Sequence, residues 1–390
     1  MTASKTDLAL YVHWPFCVSK CPYCDFNSHV VDHVDHGIWR DALLKELAFE
    51  AARNPGAALQ SIFFGGGTPS LMDATTTKAV IDAAKMHWAP IDDLEITLEA
   101  NPGTVDLERF SAFHDAGVNR LSLGVQSLDD EQLKFLGRRH SATEARTAIK
   151  EAGQTFNRLS FDLIYARPNQ TTAQWERELS NALELLSSAN GGHLSCYQLT
   201  IEEHTPFKRD HDRGVFILPD ENGGSDLFDL TQDILVAAGL PAYEVSNHAK
   251  EGDACRHNLH VWQGGSYTGI GPGAHGRIRQ GETIHATQRL KPPAQWLKRV
   301  TQEGHGSQSE AALTAEQRGQ ELVMLSMRLT QGLDLSRLED LTGLPRYDIM
   351  SQENLALLEI EGLINITSDR VKATSRGRLV LNAVIQTALR

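Results

Sequence analysis

The stretch YVHWPFCVSKCPYC, residues 11–24, places three cysteines within eight positions in the spacing C-x3-C-x2-C. Three thiolates so close along the chain can bind three irons of a 4Fe-4S cluster and leave the fourth iron without a protein ligand. We therefore predict that Cys17, Cys21 and Cys24 hold such a cluster. The open iron is the position at which a further ligand would bind.

Three other interpretations of these cysteines fit the sequence less well. A zinc site usually takes two spaced pairs, whereas Cys196 and Cys255 are single residues far downstream. Disulfides fit poorly because five cysteines are an odd number and no secretory signal is seen. If the three cysteines only filled the hydrophobic core, we would not expect Pro, Tyr and Phe to crowd them in one loop. A reducing compartment, the cytoplasm, is expected.

Composition limits the classes of function. A chain of 390 residues with 41% hydrophobic content predicts one large domain and a smaller one. No apolar run reaches the roughly 18 residues that a membrane helix needs, so we expect a soluble protein without an integral membrane segment. The formal charge of −13 argues against nucleic acid as a partner. The 16 histidines leave room for metal or heme ligation.

Apolar runs of strand length alternate with amphipathic helices over the first half of the chain. The predicted strands are 8–13, 61–64, 94–98, 120–125, 159–165 and 193–200. The predicted helices are about 38–53, 73–88, 105–116, 129–137, 143–153 and 172–188. Alternation of this kind predicts an α/β fold with six β-α units and a parallel sheet. Periodicity alone does not distinguish a closed barrel from an open one.

Unusual residues gather where the predicted strands end. In chain order these are the cysteines, Gly65–Gly67, Glu99–Pro102, Gln126–Ser127, Asp162 and Tyr197–Gln198. In parallel sheets and barrels, the reactive groups lie in the loops at the carboxyl ends of the strands. We therefore expect the polar chemistry of this chain to converge on one rim.

The second half of the chain is less regular. Stretches 204–225 and 247–285 read as loops, and 264–276 is too glycine-rich for a regular element. Helical periodicity returns from about 308, and two short β-like runs around Ser368-Asp369 predict a hairpin. We expect an irregular extension followed by a small helical, winged-helix-like domain, with domains at 1–285 and 286–390.

Six segments of the chain carry a resemblance to a known superfamily. They are Y-x-H-x-P-F-C-x3-C-x-Y-C (11–24), GGGTP (65–69), EANP (99–102), GVQS (124–127), LGRRH (136–140) and FDLIY (161–165). In this order they resemble the radical S-adenosylmethionine (SAM) superfamily, and within it the group related to the oxygen-independent coproporphyrinogen III oxidase HemN. The resemblance implies a partial (β/α)6 barrel of TIM type, a 4Fe-4S cluster, and SAM chelating the open iron.

The resemblance also implies which residues hold SAM. They are Tyr11, Tyr23, Gly66, Gly67, Thr68, Glu99, Gln126, Arg138 and Asp162. Glycines lack the side chains that would obstruct a close approach of the backbone to the ligand. Each polar residue taken alone could equally be a helix cap or a surface ion pair.

Two departures from the oxidase pattern resemble the HemW-type heme chaperones of the same group. The oxidase has a further cysteine where Phe26 stands, and it carries a long extension where only ten residues precede Tyr11. HemW-type proteins contain an H-N-x-x-Y-W heme motif. The corresponding residues are His257, Asn258 and Trp262, with Val261 in place of the tyrosine. Alternative heme ligands are His260, His275 and Cys255. The histidines His29, His33 and His36 are predicted to be solvent-exposed residues that precede a helix, not a metal site.

The predicted function is therefore a heme chaperone that binds heme and transfers it to an acceptor apo-hemoprotein. A low-potential flavodoxin or ferredoxin would suit such a cluster as electron donor, and no catalytic residue is assigned. The alternative is a radical SAM oxidase that cleaves SAM reductively and decarboxylates the propionates of a porphyrinogen.

Overall fold

Six parallel strands form the centre of the computed structural model, which describes residues 7–390. Residues 1–6 of the predicted first domain lie outside the described part. Each strand pairs in parallel with the next one along the chain. The strands are β1 (Asp7–Trp14), β2 (Ala58–Gly66), β3 (Ala89–Ala100), β4 (Arg120–Gln126), β5 (Arg158–Tyr165) and β6 (His193–Gln198).

The helices of this region cover the outside of the strands. They are α1 (His36–Arg53), α2 (Ala74–His87), α3 (Leu107–Asp115), α4 (Asp130–Phe135), α5 (Ala142–Thr155), α6 (Thr172–Ser188), α7 (Pro206–Asp212) and α8 (Glu221–Ala237). Side-chain caps determine several starts: Ser141 and Glu144 form a capping box at α5, and Thr171 and Gln174 form another at α6. The six predicted β-α units are confirmed, and α7 and the start of α8 lie in a stretch expected to be loop.

The part of the chain from 247 to 312, which begins with the stretch 247–285 expected to be loop, extends the sheet on both sides. It contains β7 (Asn247–Ala249), α9 (Arg256–Trp262), β8 (Ser266–Ile270), β9 (His275–Gln280), β10 (Thr283–Arg289), α10 (Pro293–Glu303) and β11 (Ser307–Ala312). The eleven strands run in the order β11-β10-β9-β8-β1-β2-β3-β4-β5-β6-β7, and the described strands do not close into a barrel. The expectation of a partial barrel is therefore confirmed.

The prediction that 264–276 holds no regular element was wrong for β8 and for the start of β9, whereas residues 271–274 between them form a turn. Two of the glycines allow close packing of the backbone. A Cβ on Gly269 would lie 2.2 Å from the carbonyl oxygen of His275, and one on Gly271 would lie 2.3 Å from that of His13. Only glycine allows these backbones to approach so closely. The expected boundary after residue 285 falls inside β10, and the sheet continues to Ala312.

A second hydrophobic core begins at Leu322 and belongs to the C-terminal domain. This domain contains α11 (Ala315–Ser326), α12 (Leu335–Thr342), α13 (Arg346–Ile349), α14 (Gln352–Ile360), α15 (Ser375–Leu379) and α16 (Leu381–Ala388). Its strands β12 (Leu333–Asp334), β13 (Ile364–Ile366) and β14 (Arg370–Ala373) form a sheet of order β12-β14-β13. The antiparallel pair β13 and β14 is the hairpin predicted around residues 368–369.

A buried ionic cluster fastens α1 to the extended edge of the sheet. Glu46 and Glu50 of α1 and Arg289 of β10 are almost completely buried, and Arg289 contacts both carboxylates. Glu46 also accepts hydrogen bonds from the backbone N–H of Gly271, at 2.8 Å, and from the indole of Trp296, at 2.9 Å. Because Gly271 packs on the backbone of His13, this cluster supports the base of the cysteine loop.

Candidate cofactor site

A cavity of about 850 Å³ opens at the carboxyl ends of the parallel strands, and the C-terminal domain forms part of its wall. The structure brings together at this cavity every residue predicted for the cluster and for SAM except Tyr11. They are Cys17, Cys21, Tyr23, Cys24, Gly66, Gly67, Thr68, Glu99, Gln126, Arg138 and Asp162. The single rim expected from the strand ends is therefore present.

The three cysteines of the loop differ from the other two in exposure. Cys17, Cys21 and Cys24 are half-buried at the cavity, whereas Cys196 and Cys255 are buried elsewhere. All five are free thiols, and residues 7–390 contain no compact group of His, Cys, Asp or Glu that would enclose a single ion. Burial raises the pKa of the Cys17 and Cys24 thiols.

Donors from two other segments point at the thiols. Thr68 Oγ1 donates to Cys17 Sγ at 3.4 Å, and Arg138 Nη1 donates to Cys21 Sγ at 3.5 Å. A thiolate is the species that binds iron, and hydrogen bonds and a nearby positive charge both favour it. These contacts fit a cluster held by the loop.

His13 and Asn27 hold the cysteine loop in place. His13 Nε2 lies 2.9 Å from the carbonyl oxygen of Asn27, so this nitrogen donates and Nδ1 accepts from Tyr11 Oη at 3.0 Å. Asn27 Nδ2 donates to the carbonyl oxygens of Pro272 and Lys291, both at 2.9 Å. Tyr11 thus does not line the cavity and supports the loop through His13.

The glycine run at the carboxyl end of β2 lines the cavity with Gly66 and Gly67. Gly66 has a φ of +113°, and a Cβ there would lie 2.6 Å from the ring of His13. A Cβ on Gly67 would lie 2.7 Å from the carbonyl oxygen of Phe16. Neither position can carry a side chain without moving the cysteine loop. The two glycines therefore leave a backbone surface that a ligand can approach.

Two acids, Glu99 and Asp162, line the cavity close enough for their charges to interact. Burial, followed by repulsion from Asp162, raises the pKa of Glu99 to about 8. Burial also raises the pKa of Asp162 to about 6, although a hydrogen bond from Ser195 and the charge of Arg120 oppose the shift. Glu99 Oε2 accepts a hydrogen bond from Gly66 N at 3.3 Å. At neutral pH the pair therefore holds close to one proton.

Gln126 and Arg138 each have a buried polar atom that forms no hydrogen bond with the described part of the chain. Gln126 has a φ of +72°, which is uncommon for a residue with a side chain. Its Oε1 and the Nε of Arg138 are buried without a hydrogen-bond partner among the described residues. Arg138 Nη2 donates to the carbonyl oxygen of Gly124 at 2.5 Å, which fixes the guanidinium. Such orphaned groups beside a glycine-floored cavity fit a polar ligand such as SAM.

The predicted heme residues lie away from this cavity, on α9 near the amino ends of the strands. His257 is 6% exposed, and its ring nitrogen Nδ1 is joined to Ser61 Oγ by a 2.9 Å hydrogen bond. Its backbone N–H donates to Glu95, and burial lowers its pKa to about 3. His257, Asn258 and Trp262 therefore do not join the site in this conformation, and their role in heme binding stays a prediction.

Several cavity residues were not selected from the sequence. Tyr197 was noted only as a strand-end residue, and Ser122 lies inside β4 without a motif. Arg328 and Arg378 reach the cavity from the C-terminal domain. Helical periodicity marked that domain but gave no signal for which of its side chains would face the core.

Comparisons with known proteins agree with this geometry. The radical SAM superfamily pattern matches residues 11–180, and the HemN C-terminal domain matches residues 313–380. The chain is 37% identical to "Heme chaperone HemW" of Escherichia coli (strain K12), over 97% of each protein. This chain belongs to the HemW-type family of radical SAM proteins. It is also 35% identical to the mouse "Radical S-adenosyl methionine domain-containing protein 1, mitochondrial", over 99% of this chain and 88% of that protein.

A solved structure extends the family likeness to the fold. Coproporphyrinogen III oxidase HemN from Escherichia coli superimposes with a TM-score of 0.81 and 24% identity, over 98% of this chain and 90% of that one. Members of the radical SAM superfamily take a 4Fe-4S cluster and SAM, and the residues at the cavity fit both groups. Between residues 7 and 390, no helix has the length and apolarity to span a membrane.

Proposed function

We propose that this protein is a heme chaperone, which binds heme and passes it to an acceptor apo-hemoprotein. The observation that carries the proposal is the relationship to proteins named heme chaperone HemW, at 37% identity over 97% of the chain. HemW proteins of Haemophilus influenzae and Mycobacterium tuberculosis are similar at 36% and 34% identity. The relationship includes the C-terminal domain, which forms one wall of the cavity.

The cluster and SAM sites belong to the proposal as well. Cys17, Cys21 and Cys24 would hold the cluster, and Gly66, Gly67, Thr68, Glu99, Gln126, Arg138, Asp162 and Tyr23 would hold SAM, with Tyr11 supporting the cysteine loop through His13. When bound, these groups supply one-electron chemistry. The residues of the chain position them: Arg138 beside Cys21, and Thr68 beside Cys17.

The exposed side chain after the third cysteine supports the chaperone over the oxidase. Phe26, where the oxidase has a cysteine, is 59% exposed and lies at the cavity. An apolar side chain at this position can pack against a flat porphyrin ring, and it lacks the reactive thiol of a cysteine. The oxidase remains the second candidate because HemN shares the fold at a TM-score of 0.81.

One anaerobic experiment distinguishes the two functions. Protein with a reconstituted cluster is incubated with coproporphyrinogen III, SAM and a reductant, and in parallel with hemin and an apo-hemoprotein. We expect stoichiometric heme binding, transfer of heme to the apoprotein and no protoporphyrinogen. Formation of protoporphyrinogen at a catalytic rate would refute the chaperone function, and the absence of heme binding would refute it independently.

The location and partners follow from the same proposal. Free cysteines at a cluster loop need a reducing compartment, so we place the protein in the cytoplasm. A low-potential flavodoxin or ferredoxin is the electron donor that such a cluster would use. Reduction of the reconstituted cluster by reduced flavodoxin, followed by its visible absorbance, tests this part.

A further inference from the structure

Two arginines of the C-terminal domain face the cavity without a carboxylate partner. Arg328 hydrogen-bonds to Asn382 Oδ1 at 3.4 Å. Arg378 donates to Thr330 Oγ1 at 3.2 Å and to the carbonyl oxygen of Glu244 at 2.9 Å. Within residues 7–390 neither guanidinium lies within 4.0 Å of an acidic side chain, although most other buried or half-buried arginines do.

A half-buried guanidinium that contacts only neutral groups keeps charge that an anionic ligand can neutralise. The chain as a whole carries a formal charge of −13, so positive charge at this wall is a local feature. The amino terminus of α16, which no side chain caps, opens onto the same wall and adds the positive end of a helix dipole. Together these groups favour an anion, and arginine binds carboxylates with two parallel hydrogen bonds.

Apolar side chains border the two arginines. Leu379 and Val380 are 39% and 46% exposed and line the cavity beside Arg378. Phe26, from the cysteine loop, lines the same cavity and is also exposed. Exposed apolar side chains gathered at a cavity indicate a binding surface, whereas scattered ones do not. The ligand that fits has a large apolar body and carboxylates at its edge.

The predicted heme motif lies behind this wall rather than in it. Arg328 sits over the ring of Trp262, with 5.8 Å between its Cζ and the ring centroid. Ser326 Oγ donates to the carbonyl oxygen of Trp262 at 3.0 Å. Trp262 therefore supports Arg328 and fixes the position of its guanidinium. No histidine among the described residues lines the cavity.

We propose that heme binds at the mouth of this cavity, with its ring against Phe26, Leu379 and Val380 and its two propionates on Arg328 and Arg378. This inference rests on the proposed heme-binding function and assigns its site. Recognition is through the propionates and the apolar ring, not through a histidine ligand to the iron. Metal-free protoporphyrin IX therefore binds about as well as hemin, and the dimethyl ester of hemin binds much more weakly.

Titrations of the cluster-containing protein test the site. Hemin, protoporphyrin IX and hemin dimethyl ester are added to the wild type, and quenching of tryptophan fluorescence gives each Kd. We expect the ester to bind at least about tenfold more weakly than hemin, since a charged hydrogen bond contributes about 1.5–3 kcal/mol and 1.4 kcal/mol is a factor of ten. This comparison needs no variant, so a folding defect cannot affect it. Equal Kd values for hemin and its ester would overturn the proposed site.

Variants test the residues themselves. Arg328→Gln with Arg378→Gln should weaken hemin binding at least about tenfold and leave the cluster absorbance unchanged. The matched control is Arg337→Gln with Arg376→Gln, which removes the same charge from exposed positions of the same domain. Wild-type hemin affinity in the first pair, or loss of binding in His257→Ala alone, would overturn the assignment. A wild type that binds no heme would instead refute the proposed function.

Discussion

We expect SAM binding to release a proton from Glu99 at neutral pH. The pKa of this buried acid is about 8, so at pH 7 about nine-tenths of the side chain is protonated. The sulfonium of SAM is a cation, and a cation beside a carboxyl group favours its ionised form. The proton therefore leaves when SAM binds, and SAM affinity rises with pH.

The size of the effect follows from the pKa of Glu99. If SAM binds only the ionised form, the population of that form limits the affinity. This population rises from about one-tenth at pH 7 to about nine-tenths at pH 9, so we expect an affinity increase approaching tenfold from Glu99 alone. Asp162, with a pKa of about 6, is already largely ionised at pH 7 and adds little over this range.

Calorimetry measures the proton directly. SAM is titrated into cluster-containing protein in buffers of different ionisation enthalpy, and the slope of the observed enthalpy gives the protons released. The amino group of SAM contributes equally to wild type and Glu99→Gln, so the difference isolates Glu99. We expect a difference of about 0.9 proton at pH 7 and about 0.1 at pH 9. The same release from both proteins would refute the reasoning.

Three further substitutions test the supports of the site. Gly67→Ala should abolish SAM binding, because its Cβ would lie 2.7 Å from the carbonyl oxygen of Phe16; equilibrium dialysis measures this. Glu46→Gln should lower the free energy of unfolding by about 3 kcal/mol, since it leaves Arg289 with one fewer buried partner; chemical denaturation measures it. Asn27→Ala should speed the loss of cluster iron to a chelator, because two carbonyl oxygens of the neighbouring segment lose their donor.

For each of these substitutions, one outcome would contradict the prediction. Wild-type SAM affinity in Gly67→Ala would mean that the loop moves at no cost. Asp41→Asn, on the exposed face of α1, serves as the control for Glu46→Gln and should change stability by less than about 0.5 kcal/mol. Equal losses in both would show that the buried cluster contributes no more than a surface charge. An unchanged rate of iron loss in Asn27→Ala would show that Asn27 does not stabilise the cysteine loop.

The site was predictable where its residues follow the ends of parallel strands. Cys17, Gly66 and Glu99 stand directly after buried apolar runs, and parallel strands bring their carboxyl ends to one rim. The strands of 266–289 were missed because glycine usually marks a turn, whereas here Gly269 allows β8 and the backbone of His275 to pack closely. That contact involves the particular packing of two strands, which no local pattern records.

By itself, then, the sequence determined the chemistry of one rim: the thiols, the glycine floor and the acids, whose spacing along the chain is a local property. Only the tertiary structure decided that His257 is enclosed beside Ser61, away from the cavity, and that Arg328 and Arg378 reach it from the C-terminal domain. The reason is that these placements depend on how distant segments pack. The exposure and charge partner of a side chain are properties of the fold as a whole.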